Sequence, residues 1–262
     1  MKRAGHDPLT ADRAPAQPAG EGTQPGGKPA AGGQPQRDTA WRRLRTLHPA
    51  VGQLVLLLCY LAGGVAVTWP RASYLAGQLP SSRDSASYVW GFWWVAHQVS
   101  HLGNPWFTHY MAAPVGVSLG YHSLMVLPGL IFTPVTWLFG PSAAYNLLVI
   151  LVPGLSSYAM YRAARLWLRS QTGAIAAGAF FGLSAMLGQE DWYHINIAVG
   201  TLFLPVTLEL AVRLRRSPGV RQALLLGIGL GAAVLTDSES AVLCGILSLC
   251  VLLPWLLRPV LA

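Results

Sequence analysis

Asp84 is the first residue in this chain whose type and setting suit chemistry. It lies in Ser82-Arg83-Asp84-Ser85-Ala86-Ser87-Tyr88, between an apolar segment and an aromatic one. A carboxylate there can take a proton from an acceptor hydroxyl or bind a divalent cation. It can equally be a solvated loop aspartate paired with Arg83. A second group is Gly188-Gln189-Glu190-Asp191-Trp192-Tyr193-His194-Ile195-Asn196. Adjacent carboxylates beside a histidine can hold sugar hydroxyls, a divalent cation or a proton, although the spacing matches no stereotyped metal site. A polar loop closing a helix pair would need the same residues. The third is Thr236-Asp237-Ser238-Glu239-Ser240, whose Asp and Ser also suit a tight turn. Walker loops, GxSxG and HExxH are absent. Cys59, Cys244 and Cys250 each sit inside an apolar run without CxxC spacing, as small packing residues do.

The elements that must carry these groups are apolar. Of 262 residues, 53% are hydrophobic and 11% are charged, and the mean hydropathy is +0.42. Soluble domains carry roughly 25% charged residues, so most of this surface is not built to meet water. The formal charge is +8, but Lys and Arg form short clusters between apolar segments rather than one basic face. That pattern sets membrane orientation and argues against nucleic acid as a partner. Residues 1–48 differ. Gly, Pro, Ala and Gln dominate, as in GEGTQPGGKPAAGGQPQ, and little is available to bury. This block reads as a disordered cytoplasmic tail without a signal-peptide core. It ends in the basic cluster Trp41-Arg42-Arg43-Leu44-Arg45.

A spanning helix needs about 20 mostly apolar residues. Ala50–Trp69, Ala143–Tyr161, Ile195–Leu214 and Ser240–Leu257 qualify. Gly173–Leu187 and Ala223–Leu235 are shorter. Tyr121–Phe139 is long enough but carries Pro128 and Pro134, which remove backbone donors. Charge decides its role. If it crosses, Arg162, Arg165, Arg169, Arg213, Arg215, Arg216 and Arg221 fall outside. If it is re-entrant or interfacial, all of them lie inside with Arg42, Arg43, Arg45 and Arg258. The one-sided result predicts about six spans with the N-terminus inside. Asp84, Glu190, Asp191, Asp237 and Glu239 then collect at the outer face, and Glu209 alone lies within a span.

The first outer loop holds Trp90, Trp93, Trp94, His97 and His101 at helical spacing. This predicts a juxtamembrane helix with its rings at headgroup level, either as an anchor or as the wall of a lipid-substrate groove. Gly178–Gly182 and Gly227–Gly231 are GxxxG pairs that let helices approach closely. The fold expected is all-α: a polytopic bundle over residues 49–262 with a re-entrant segment and an aromatic helix.

In this order the pieces resemble the N-terminal half of bacterial GT-C fold glycosyltransferases, polytopic enzymes that use polyprenyl-phosphate-linked sugars. The resemblance runs from about Val51 to Glu239. It is carried by Asp84-Ser85-Ala86-Ser87-Tyr88 after the first span, the aromatic Trp90–His101 stretch, Asn104-Pro105-Trp106-Phe107, Ala113-Pro114-Val115-Gly116, and Leu138-Phe139-Gly140-Pro141. The span opening Ala144-Tyr145-Asn146-Leu147 and the polar loop with His194 and Asn196 complete it. The resemblance implies transfer of a hexose or pentose from a polyprenyl-phosphate donor to an acceptor hydroxyl at the outer face of the cell membrane. Asp84 would be the base, or the ligand of a divalent cation serving it. Arg71 or Arg83 would neutralise the leaving phosphate. Trp93, His97, Glu190, Asp191, His194, Asn196, Asp237 and Glu239 would line the pocket. Two departures stand out. Asp84 is followed by Ser, where many relatives carry a second acid. The spans also number about six, where relatives carry more, so the resemblance implies a chain incomplete at its C-terminus. The rival reading is a transporter or a non-catalytic membrane subunit. Glycosyl transfer would require Asp84 and the Glu190–His194 segment to share one cavity beside the aromatic helix.

Overall fold

A computed structural model of the chain describes residues 49–79 and 83–257, with the backbone alone for Arg83 and residues 189–192. The tail expected over residues 1–48 lies outside the described residues. The described chain is helical: α1 (Pro49–Val67), α2 (Arg83–His101), α3 (Val126–Ile131), α4 (Thr133–Phe139), α5 (Pro141–Ala164), α6 (Gln171–Gly182), α7 (Ala185–Tyr193), α8 (Ile195–Arg216), α9 (Val220–Val234) and α10 (Ser238–Leu256). A short 3-10 turn spans Arg71–Tyr74. The described strands, β1 (Phe107–Thr108) and β2 (Val117–Ser118), pair antiparallel within the α2–α3 connection.

Five helices are long and apolar enough to cross a membrane: α1, α5, the stretch Gln171–Gly188, α8 and α10. α9 is apolar but has 15 residues, about 22 Å of rise. Side-chain size sorts these helices into centre and rim. α5 buries small residues around its whole circumference, including Ala143, Ala144, Gly154, Ser156, Ser157, Ala159 and Ala163. It packs against α1, α2, α4, α6 and α8. A helix apolar on every side belongs inside. α1 and α10 keep large side chains outward, including Leu54, Leu58, Ile246 and Leu249, each more than half exposed. In water such surface would be an association site.

Direction follows from which residues meet. Gln53 near the start of α1 bonds Tyr161 near the end of α5, at 3.2 Å. Past the end of α1, the carbonyls of Leu75 and Gln78 accept from Asn146 in the second turn of α5, at 2.7 and 2.9 Å. The two helices are therefore antiparallel, and residues 68–140 leave and re-enter at one end of the bundle. Within that stretch Tyr121–Phe139 forms two short helices of 6 and 7 residues, α3 and α4. The Leu127 amide donates to the Leu235 carbonyl at the end of α9, at 2.9 Å.

Of the two GxxxG pairs, one is a packing surface. A Cβ on Gly178 would come within 2.5 Å of the Ser157 carbonyl, and one on Gly182 would overlap Pro153 and Ser157, so α6 lies directly on α5. Gly227 and Gly231 have open space where a Cβ would go. On α9 the intervening Gly229 instead meets Leu210 of α8.

Candidate functional site

Asp84 stands in the first turn of α2, where a carboxylate complements the positive end of the helix dipole. Its Oδ2 lies 3.9 Å from Nε2 of His194, the residue just before α8. Both side chains are about half exposed, at 53% and 49%. The pair therefore joins two segments distant in sequence and remains accessible from outside.

A buried chain of polar groups lies behind it. Tyr88, one turn after Asp84, donates its hydroxyl to Asn196 Oδ1. Asn196 Nδ2 donates to Asp237 Oδ1 at 2.9 Å and approaches Ser123 Oγ at 3.5 Å. Asp237 Oδ2 accepts the Ser240 amide at 2.8 Å, which caps α10. Tyr88, Asn196 and Asp237 are all buried. Burial pushes the Tyr88 phenol well above its ordinary range, and the nearby Asp84 charge adds to this, followed by Tyr145, Asp237 and Glu239. The phenol therefore stays a donor. Ser87 adds an exposed contact to His122 Nε2 at 3.3 Å.

Local sequence explains the meeting. Asp84 and Tyr88 are i and i+4 on one helix, so they share a face. His194 and Asn196 bracket the start of α8. A Cβ on Gly200 would overlap Ser240 and come within 3.1 Å of Asp237 Cβ, so only glycine lets α10 begin beside Asn196. Below, Tyr88, Phe92, Tyr145, Leu148, Leu187 and Ile195 form part of one apolar core that fixes α2, α5, α7 and α8 together.

The remaining expected site residues divide. Glu239 is exposed in the first turn of α10. Glu190 and Asp191 lie on α7 as backbone, and their side chains, like that of Arg83, fall outside the described residues. Arg71 is fully buried on the 3-10 turn, which packs against α5. Trp93 and His97 sit about 13 and about 20 Å farther along α2 than Asp84, at 1.5 Å per residue. They belong to a separate ring ladder. Trp90 stacks on Trp94 at 5.6 Å, Trp93 on His97 at 5.2 Å, and His97 meets His101 at 4.3 Å. Tyr110 closes the ladder from the loop, 5.7 Å from Trp93. Trp94 is buried and donates Nε1–H to the Pro105 carbonyl at 2.9 Å, so part of the aromatic face covers protein.

Among the described residues no three His, Cys, Asp or Glu side chains are grouped to hold a metal ion. The sequence left Tyr88, Ser123 and Gly200 without a role, and gave Ser240 only that of a turn residue. Of the first three, Tyr88 alone carried a local signal, its spacing from Asp84. At the opposite end, Glu209 is buried and takes Arg162 at 2.6 Å and Arg213 at 2.8 Å. No family model, curated protein or solved structure matches this chain.

Proposed function

We propose that the chain is a polytopic membrane protein with about six spans. Its polar end, at the outer face, transfers a sugar from a polyprenyl-phosphate donor to an acceptor hydroxyl. The observation that carries this reading is the half-exposed Asp84–His194 pair, held from behind by Tyr88, Asn196 and Asp237. Asp84 takes the proton of the acceptor hydroxyl as the acceptor oxygen bonds to the anomeric carbon. The bond from that carbon to the phosphate breaks, and the polyprenyl phosphate leaves. His194 stands beside the Asp84 carboxylate, 3.9 Å away, at the mouth of the site. The starts of α2 and α8 meet here, and the positive ends of helices favour an anionic donor. The outward apolar faces of α1 and α10 support the membrane placement.

A transporter would place its substrate site near mid-depth on broken helices. Here Glu209 pairs with Arg162 and Arg213 toward the end of α8, and Asp237 is bound by Asn196 and the Ser240 amide at the start of α10. The test is transfer from labelled polyprenyl-phosphate sugars in membranes from the source organism, comparing wild type with Asp84→Asn. Asn keeps size and hydrogen bonding but is not a base. Transfer should fall about a hundred- to ten-thousand-fold while membrane content is unchanged. Near-normal turnover in Asp84→Asn removes the role.

A further inference from the structure

The end of the bundle opposite Asp84 carries a cavity. It has a volume of about 390 Å³ and is lined by Trp167, Val212, Arg215, Arg216 and Val251. Three elements build it. Trp167 follows α5, Val212 and both arginines come from the last turns of α8, and Val251 comes from α10. The arginines are fixed at its edge by backbone carbonyls of neighbouring elements. Arg216 Nη2 donates to Leu166 O at 3.0 Å, and Arg215 Nη1 reaches Val251 O at 3.4 Å. Both arginine side chains are exposed at the rim, while the cavity wall itself is almost wholly apolar. Among the described residues neither arginine meets a carboxylate. Glu209, the acid on the same helix, is already engaged by Arg162 and Arg213.

The geometry points to a binding site for one anionic phospholipid. Its net negative headgroup, a phosphate with no cation beside it to oppose the guanidiniums, sits on Arg215 and Arg216, and an acyl chain lies along Val212, Val251 and Trp167. Paired arginines suit phosphate oxygens, and a half-exposed tryptophan suits the headgroup boundary. The valine walls favour a lipid over a free phosphate, which has nothing to bury there. Basic pockets between spanning helices on the cytoplasmic side are where such headgroups bind.

The inference rests on the membrane reading above, and the two can fail separately. The purified full chain is titrated with phosphatidylglycerol, with phosphatidylcholine of identical chains, and with inorganic phosphate, and bound lipid is counted by native mass spectrometry. Phosphatidylglycerol should be held about thirty-fold more tightly than phosphatidylcholine, from roughly five-fold per arginine. Arg215→Gln/Arg216→Gln should erase most of that preference. Arg169→Gln/Arg221→Gln, two exposed arginines outside the cavity, should leave it intact. Equal retention of the two lipids, equal loss in the control pair, or displacement of lipid by millimolar inorganic phosphate overturns the site. An alkaline wash of the source membranes checks the reading beneath it. If the chain washes out, both fail, whereas a chain that stays without lipid preference defeats this inference alone.

Discussion

Replacing Asn196 with alanine removes the residue that links α2, α8 and the start of α10. Its carboxamide accepts from Tyr88 and donates to Asp237 at 2.9 Å, while the 3.5 Å approach to Ser123 is too long to add much. Both stranded partners are buried, so neither recovers a full water shell. Asp237 keeps only its second oxygen satisfied, by the Ser240 amide at 2.8 Å. Hydrogen bonds between helices inside membranes average about 0.6 kcal/mol and reach about 1.7. Two of them, one to a carboxylate, place the loss at about 2–3 kcal/mol. A chain of this size loses roughly 2–4 °C per kcal/mol, so the unfolding midpoint should fall by about 4–12 °C. Cys244 is buried while Cys59 and Cys250 are exposed. In a Cys59→Ala/Cys250→Ser background a thiol-reactive dye therefore reports opening through Cys244. Tyr88→Phe should cost less, and the double variant should cost less than the sum, because removing both partners strands no hydroxyl. A midpoint within about 1 °C of wild type for Asn196→Ala would refute the linkage.

Two further outcomes follow from the geometry. Glu209→Gln should destabilise by about 1–2 kcal/mol in the same thermal assay, below the 3–5 of a fully buried pair, because Arg162 and Arg213 are half exposed and regain water. An unchanged midpoint would show that the pair is not formed. Cysteines at Tyr121, Tyr193 and Ser238 should react with an impermeant thiol reagent from outside cells, and one at Ser217 should not. Gly116 is unsuitable as a probe, since its φ is +79° and a side chain there would strike Phe107 and Thr108. Labelling of Tyr121 and Ser238 from opposite sides would remove the proposed orientation.

Much of this protein was legible in its residues one segment at a time. A low charged fraction and long apolar runs bound the chain to apolar helices, because backbone and side chains without water must satisfy themselves internally. Pro128 and Pro134 marked Tyr121–Phe139 as a broken segment, because proline removes the donors a long helix needs. The spacing of Trp90, Trp93, Trp94, His97 and His101 predicted a shared helix face, which the ring ladder shows. Asp84, His194, Asn196 and Asp237 could each be picked out as polar groups at segment ends. Their partners could not. Hydrophobic periodicity says which face of a helix is buried but not which helix covers it. The tertiary fold alone brought Asp84 to His194 and linked Tyr88 to Asp237 through Asn196. Trp93 and His97 lie in a different region for a reason already present in the sequence, since one helix rising 1.5 Å per residue carries them away from Asp84. Gly178–Gly182 packs while Gly227–Gly231 faces open space, although the two motifs are equivalent in sequence. Close approach depends on the surface opposite, and only the packed structure supplies that surface.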